Sequence, residues 1–102
     1  MRLSTTPMYY KDVTTLAQLF ETVGHSTRLQ ILYHLIDHDN ATITELSGVL
    51  LEGSEAISQH VEILIGVNFI SAIPRSNPAS YALNEKLWNE FKMTLKLFVA
   101  DV

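Results

Sequence analysis

A mainly α-helical domain closed by one small β-hairpin is the fold class this sequence predicts: five helices and a two-stranded wing in winged helix-turn-helix order. Three observations carry it. Apolar residues recur at helical spacing in five separate segments. The stretch from Ser54 to Leu83 reads as a helix, a short strand, a turn-rich tip and a returning strand. The helix in that stretch sets small polar residues on one face and apolar residues on the other, which suits an element that rests on a core and enters a DNA major groove.

Taking the elements in order, residues 1–11 read as a flexible arm, with Pro7 discouraging an early helix. Asp12 can cap a first helix in which Val13, Leu16, Ala17 and Phe20 form one stripe, and Gly24 stops it. Ser26 is the expected N-cap of a second helix. Leu29, Leu32, Tyr33, Leu35 and Ile36 make that helix strongly apolar up to His38. Thr42-Ile43-Thr44-Glu45 fits a capping box, so a short third helix runs to Leu50, with Leu46, Val49 and Leu50 inward. Leu51-Glu52-Gly53 turns the chain. The fourth helix starts near Ser54 and points Ile57, Val61 and Leu64 at the core, with Glu55, Ser58, Gln59 and Glu62 outward. Residues 69–73 and 80–83 read as strands around a tip rich in turn formers. Asn84 can cap a last helix, where Leu87, Phe91, Leu95 and Phe98 fall in one stripe with Trp88 beside it.

Composition narrows the function. A chain of 102 residues builds one domain, 1–102, around one modest core. No apolar run approaches the ~20 residues of a membrane span. The start, MRLSTTPMYYKDV, lacks the apolar region of a secretory signal, so a cytoplasmic location is expected and no membrane partner. The absence of cysteine excludes disulfides and thiolate metal sites. A net charge of −4 disfavours nonspecific binding to polyanions. There is no phosphate-cradling glycine loop, no Ser-His-Asp set in recognisable context and no paired carboxylates, so the chain does not read as an enzyme and needs no cofactor.

The first and last helices carry more apolar surface than a thin outer layer on a small core requires. A second copy of the chain is the expected cover, through Leu16, Phe20, Leu87, Phe91, Leu95 and Phe98.

Residues 17–32, Thr44-Glu45-Leu46, residues 57–64 and Tyr81-Ala82-Leu83 together resemble the ArsR/SmtB family of dimeric repressors. Residues 17–32, AQLFETVGHSTRLQIL, look like that family's opening segment, with Arg28 at its characteristic arginine. Thr44-Glu45-Leu46 fits the start of the first helix of the helix-turn-helix. Ile57-Ser58-Gln59-His60-Val61-Glu62-Ile63-Leu64 matches the recognition-helix pattern, and Tyr81-Ala82-Leu83 matches the end of the wing. The resemblance implies DNA contacts at Ser54, Glu55, Ser58, Gln59 and His60, on double-stranded DNA with a palindromic operator. Gln59 can pair with an adenine edge and Ser58 can reach a base or phosphate.

The sequence also departs from that pattern. The wing offers one cation, Arg75, and residues 44–80 hold four glutamates against it. The family's familiar metal sites use cysteines on the third helix or histidines on the last, and this chain has neither. His34 and His38 stand at i, i+4 with Asp37 beside them, but no clear further ligand completes a site, so no metal is expected. Two functions follow: a dimeric repressor, or a winged-helix module for protein interaction or dimerisation that has lost DNA binding.

Overall fold

The computed structural model describes residues 13–101 of the chain, and the expected arm at 1–11, with Arg2, Lys11 and the Asp12 cap, lies outside them. The order is α1 (Val13–Val23), α2 (Ser26–Asp37), β1 (Ala41–Thr42), α3 (Ile43–Leu50), α4 (Ser54–Gly66), β2 (Ile70–Ala72), β3 (Ser80–Leu83) and α5 (Glu85–Asp101). This is a winged helix-turn-helix, with α3 and α4 forming the helix-turn-helix and β2–β3 the wing.

Local chemistry sets the boundaries. At Gly24, where α1 stops, an added Cβ would sit 3.1 Å from the Phe20 carbonyl oxygen, so a larger residue would press on the helix end. The N-cap of α2 is His25 and not the expected Ser26. The His25 ring nitrogen Nδ1 accepts the Thr27 N–H at 3.2 Å, doing what a serine hydroxyl would do one residue later. The capping box of α3 forms as expected. Thr42 Oγ1 accepts the Glu45 N–H and Glu45 Oε1 accepts the Thr42 N–H, both at 3.1 Å. Asn84 Oδ1 accepts the Leu87 N–H at 3.2 Å and starts α5.

The core gathers Ile31, Leu32 and Leu35 from α2, Leu46 from α3, Ile57, Val61 and Leu64 from α4, and Phe69 and Ile70 at the wing's base. Phe69 is fully buried edge-on to both Trp88 and Phe91, at ring distances of 5.9 and 5.3 Å.

One inward assignment changes. Val49 is 58% exposed, because Ile43, Leu46, Ser47 and Leu50 share the inner face of the two-turn α3 and Val49 falls on its other flank. On α2 the core takes Ile31 beside Leu32 and Leu35, which leaves Leu29, Tyr33 and Ile36 at the surface.

Some of the residues expected at a dimer interface are used by the chain's own core. Leu16, Leu87 and Phe91 are buried inside this one chain, and Phe20 packs edge-on to Phe91 at 5.7 Å. The apolar stripes of α1 and α5 therefore meet each other first. Leu95 is partly exposed, and the side chain of Phe98 lies outside the described residues. Among the described residues, the large apolar side chains that α5 leaves exposed are Met93, Leu97 and Val99.

The sheet has three strands in the order β1-β3-β2, all antiparallel. The two-residue β1 pairs Ala41 with Tyr81 and Thr42 with Ser80. A strand this short has no periodicity to read, and the sequence gives no sign of it. It ties the wing to the entrance of α3. No described helix is long and apolar enough to cross a membrane.

Candidate nucleic-acid interface

The geometry of α4 follows from its core stripe. With Ile57, Val61 and Leu64 at or near zero exposure, the opposite face must point outward, and Ser54, Glu55, Gln59 and Glu62 are all exposed there. Ser58 and His60 are partly exposed on opposite flanks of that face. Gly53 precedes α4 and supplies no side-chain cap, so the first-turn N–H groups remain open to an external acceptor such as a phosphate oxygen.

The turn between α3 and α4 rests on Leu51 in the left-handed region, at φ 57° and ψ 41°. Its N–H donates to the Ser47 carbonyl, and the Ser47 hydroxyl donates to the Glu52 carbonyl. Leu51 is 89% exposed, so this turn presents an apolar side chain to solvent beside Val49. Neither feature was visible in the spacing of the residues.

The wing pairs Ile70 with Leu83, Ser71 with Ala82 and Ala72 with Tyr81. At its tip the Ser76 N–H donates to the Ile73 carbonyl at 3.3 Å, with Pro74 second and Arg75 third in the turn. Arg75 has φ 67°, where a type II turn usually carries glycine or asparagine. The Ser76 hydroxyl closes the tip by donating to the Ile73 carbonyl at 3.0 Å and accepting the Ser80 N–H at 2.9 Å. Arg75 itself is exposed. The structure thus places Ser54, Glu55 and Gln59 on one outward helical face and Arg75 on a separate, braced projection.

His60 stands apart from that set. Its Nδ1 accepts from Arg28 Nε at 3.2 Å, and its ring lies 4.4 Å from the His25 ring. Arg28 Nη1 donates in turn to the Thr22 carbonyl at 3.3 Å. Arg28 therefore binds an imidazole and the end of α1. His60 is held on the α2 side of the helix. Burial first, then the neighbouring His25 and Arg28 charges, lower its pKa below the usual 6.5, with Glu52 opposing. His34 and His38 stack at 4.0 Å, and the His38 Nδ1 lies 2.8 Å from the His34 carbonyl oxygen. Among the described residues no three His, Asp or Glu side chains are grouped so as to hold a metal.

No protein-family model matches the chain, and no curated protein matches its sequence. Solved structures do. An ArsR-like transcriptional regulator from Rhodococcus sp. RHA1 superposes with a TM-score of 0.73 at 23% identity, covering 86% of this chain and 82% of that one. HlyU, a transcriptional regulator from Vibrio vulnificus CMCP6, superposes with a TM-score of 0.67 at 22% identity, covering 96% and 99%. Reduced HlyU from Vibrio cholerae N16961 gives 0.66 at 23% identity, covering 83% and 90%. At this identity the likeness is one of fold, and it extends over 82% or more of each of these neighbours.

Proposed function

We propose that the chain is a transcriptional regulator of the ArsR-like type, a homodimer that binds double-stranded DNA at a palindromic operator and represses transcription in the cytoplasm without metal or cofactor. The observation that carries this reading is the outward face of α4. Short polar side chains at Ser54, Ser58 and Gln59 stand on a helix anchored by a fully apolar stripe, with an uncapped N-terminus and a wing that projects one cation, Arg75. The neighbours of known structure that share the whole fold are named as transcriptional regulators, which supports the same reading.

In this reading Gln59 reads a base edge and Arg75 contacts a phosphate. Glu55 and Glu62 keep nonspecific affinity low by repelling the backbone. The salt dependence of binding is correspondingly shallow. Fluorescence anisotropy with DNA from upstream of the chain's own gene tests this over a range of salt. Saturable binding that unrelated DNA fails to displace supports it, and equal displacement by any DNA contradicts it.

A second reading is favoured by one observation. Val49 and Leu51 expose apolar side chains at the helix-turn-helix turn, beside the acidic Glu55. A surface of that kind suits a protein partner better than a phosphate backbone, as in a winged-helix module that has lost DNA binding.

A further inference from the structure

We propose that Arg28 and His25 are positioning residues for the recognition helix, acting through His60, and that proton uptake by His60 releases this hold on α4. Its consequence for DNA rests on the regulator reading above; the positioning itself does not.

The contact joins three parts of the fold. Arg28, on the first turn of α2, uses Nε to reach His60 on α4 and Nη1 to reach the Thr22 carbonyl at the end of α1. His60 follows Gln59 directly in sequence. His25, in the connection between α1 and α2, lies with its ring 4.4 Å from that of His60 and tilted by 50°. Glu52, in the turn between α3 and α4, faces the same group, and its Oε1 accepts the Thr27 hydroxyl at 2.7 Å. The groups around His60 are thus His25, Arg28 and Glu52.

Both imidazoles use Nδ1 as an acceptor, His60 from Arg28 and His25 from the Thr27 N–H. A ring nitrogen that accepts carries no proton, so the arrangement requires both rings neutral, with the proton on Nε2. Protonation of His60 turns its acceptor into a donor aimed at the Arg28 N–H and sets two cations in contact. Glu52 alone among these groups favours the cation, and it is already engaged by Thr27. Burial first, then the neighbouring His25 and Arg28 charges, hold the His60 pKa below the usual imidazole value, which favours the neutral ring that accepts from Arg28.

Losing the contact does not unfold α4, because Ile57, Val61 and Leu64 still anchor its inner stripe. It removes a side-chain tie on one flank of the helix, and Gly53 offers no compensating cap at its start. The helix is then free to roll on its apolar stripe. A roll displaces Ser58 and Gln59, which face outward on a longer radius than the core residues.

The test is a pH titration of the full chain followed by nuclear magnetic resonance. The expected result is a His60 imidazole that titrates below an ordinary histidine, with the Gln59 amide moving at the same midpoint. Arg28→Gln should raise that midpoint. His60→Asn, whose Oδ1 can accept from Arg28 as Nδ1 does but cannot titrate, should hold Gln59 at its neutral-pH position throughout. A His60 that titrates like a free imidazole, or a Gln59 amide that ignores its titration, overturns the proposal. If Arg28→Gln does not fold, the wild type and His60→Asn decide the matter. With operator DNA, specific affinity should fall several-fold between about pH 7.5 and about pH 5.5, the interval in which imidazoles charge, and stay flat in His60→Asn. Specific binding that holds or strengthens on acidification overturns the link to recognition. Absence of specific binding at every pH overturns the regulator reading and leaves the resonance result to decide the positioning.

Discussion

The Ser80 hydroxyl donates a 2.7 Å hydrogen bond to Asn40 Oδ1, joining residues forty positions apart where the wing meets the helix-turn-helix. The backbone pairing of Thr42 with Ser80 lies beside it, so the returning strand of the wing is fixed to the residues that open α3. Through this junction the projection carrying Arg75 and the helix pair carrying Gln59 keep one relative orientation.

Ser80→Ala removes that bond while leaving the strand pairing intact. Ser80 is buried, and Asn40 is exposed and can turn to water, so the loss is that of a single hydrogen bond, about 1 kcal/mol. Urea denaturation measures it. Faster amide exchange in β3, with α2 unaffected, is the accompanying expectation.

Arg75→Gly separates stability from function. The left-handed backbone at Arg75 strains any residue with a Cβ, and glycine relieves it, partly offset by its greater freedom in the unfolded chain. Stability should stay level or rise by up to about 1 kcal/mol. Affinity for all DNA sequences should fall together, as for a lost phosphate contact. A fall in both stability and affinity would show that the side chain serves the fold.

Acid should weaken the fold through His60. Its pKa is lowered in the folded chain by burial, then by His25 and Arg28, so the unfolded chain takes up the proton first as pH falls. The stabilisation is complete above the unfolded value of about 6.5 and declines as pH drops through it toward the folded value. Urea midpoints at a series of pH values check this, and the slope over that interval should flatten in His60→Asn.

Self-association should depend on the α5 residues that the chain's own core leaves uncovered. Phe91 is 3% exposed, so Phe91→Lys disrupts the chain's own core, at a cost of about 3–5 kcal/mol as for other large core losses. Leu97→Glu, at a surface position, should give a folded monomer where the wild type sediments as a dimer. A wild type that sediments as a monomer at micromolar concentration contradicts the dimer.

What the sequence made legible follows from period and caps. The α4 stripe of Ile57, Val61 and Leu64, the capping box at Thr42 and Glu45, the Asn84 cap and both wing strands all leave local patterns, and each is where the pattern puts it. The rest depends on tertiary contact. Leu16, Leu87 and Phe91 look equally suited to a partner copy or to one another, because periodicity marks an apolar face without saying what covers it. The tie between Arg28 and His60 spans thirty-two positions and has no local signature. The positive φ of Leu51 and Arg75 breaks the residue preferences that turn reading relies on.

A selection from random double-stranded DNA at low salt asks whether the outward face of α4 reads DNA sequence. The expected result is enrichment of a palindrome whose half-site centres lie about one helical turn, roughly 34–36 Å, apart. Gln59→Ala should then lose about 1–3 kcal/mol on that site and relax the preference at one base position. A selection that enriches no sequence, with residual binding unchanged by Gln59→Ala and Arg75→Ala, would contradict it.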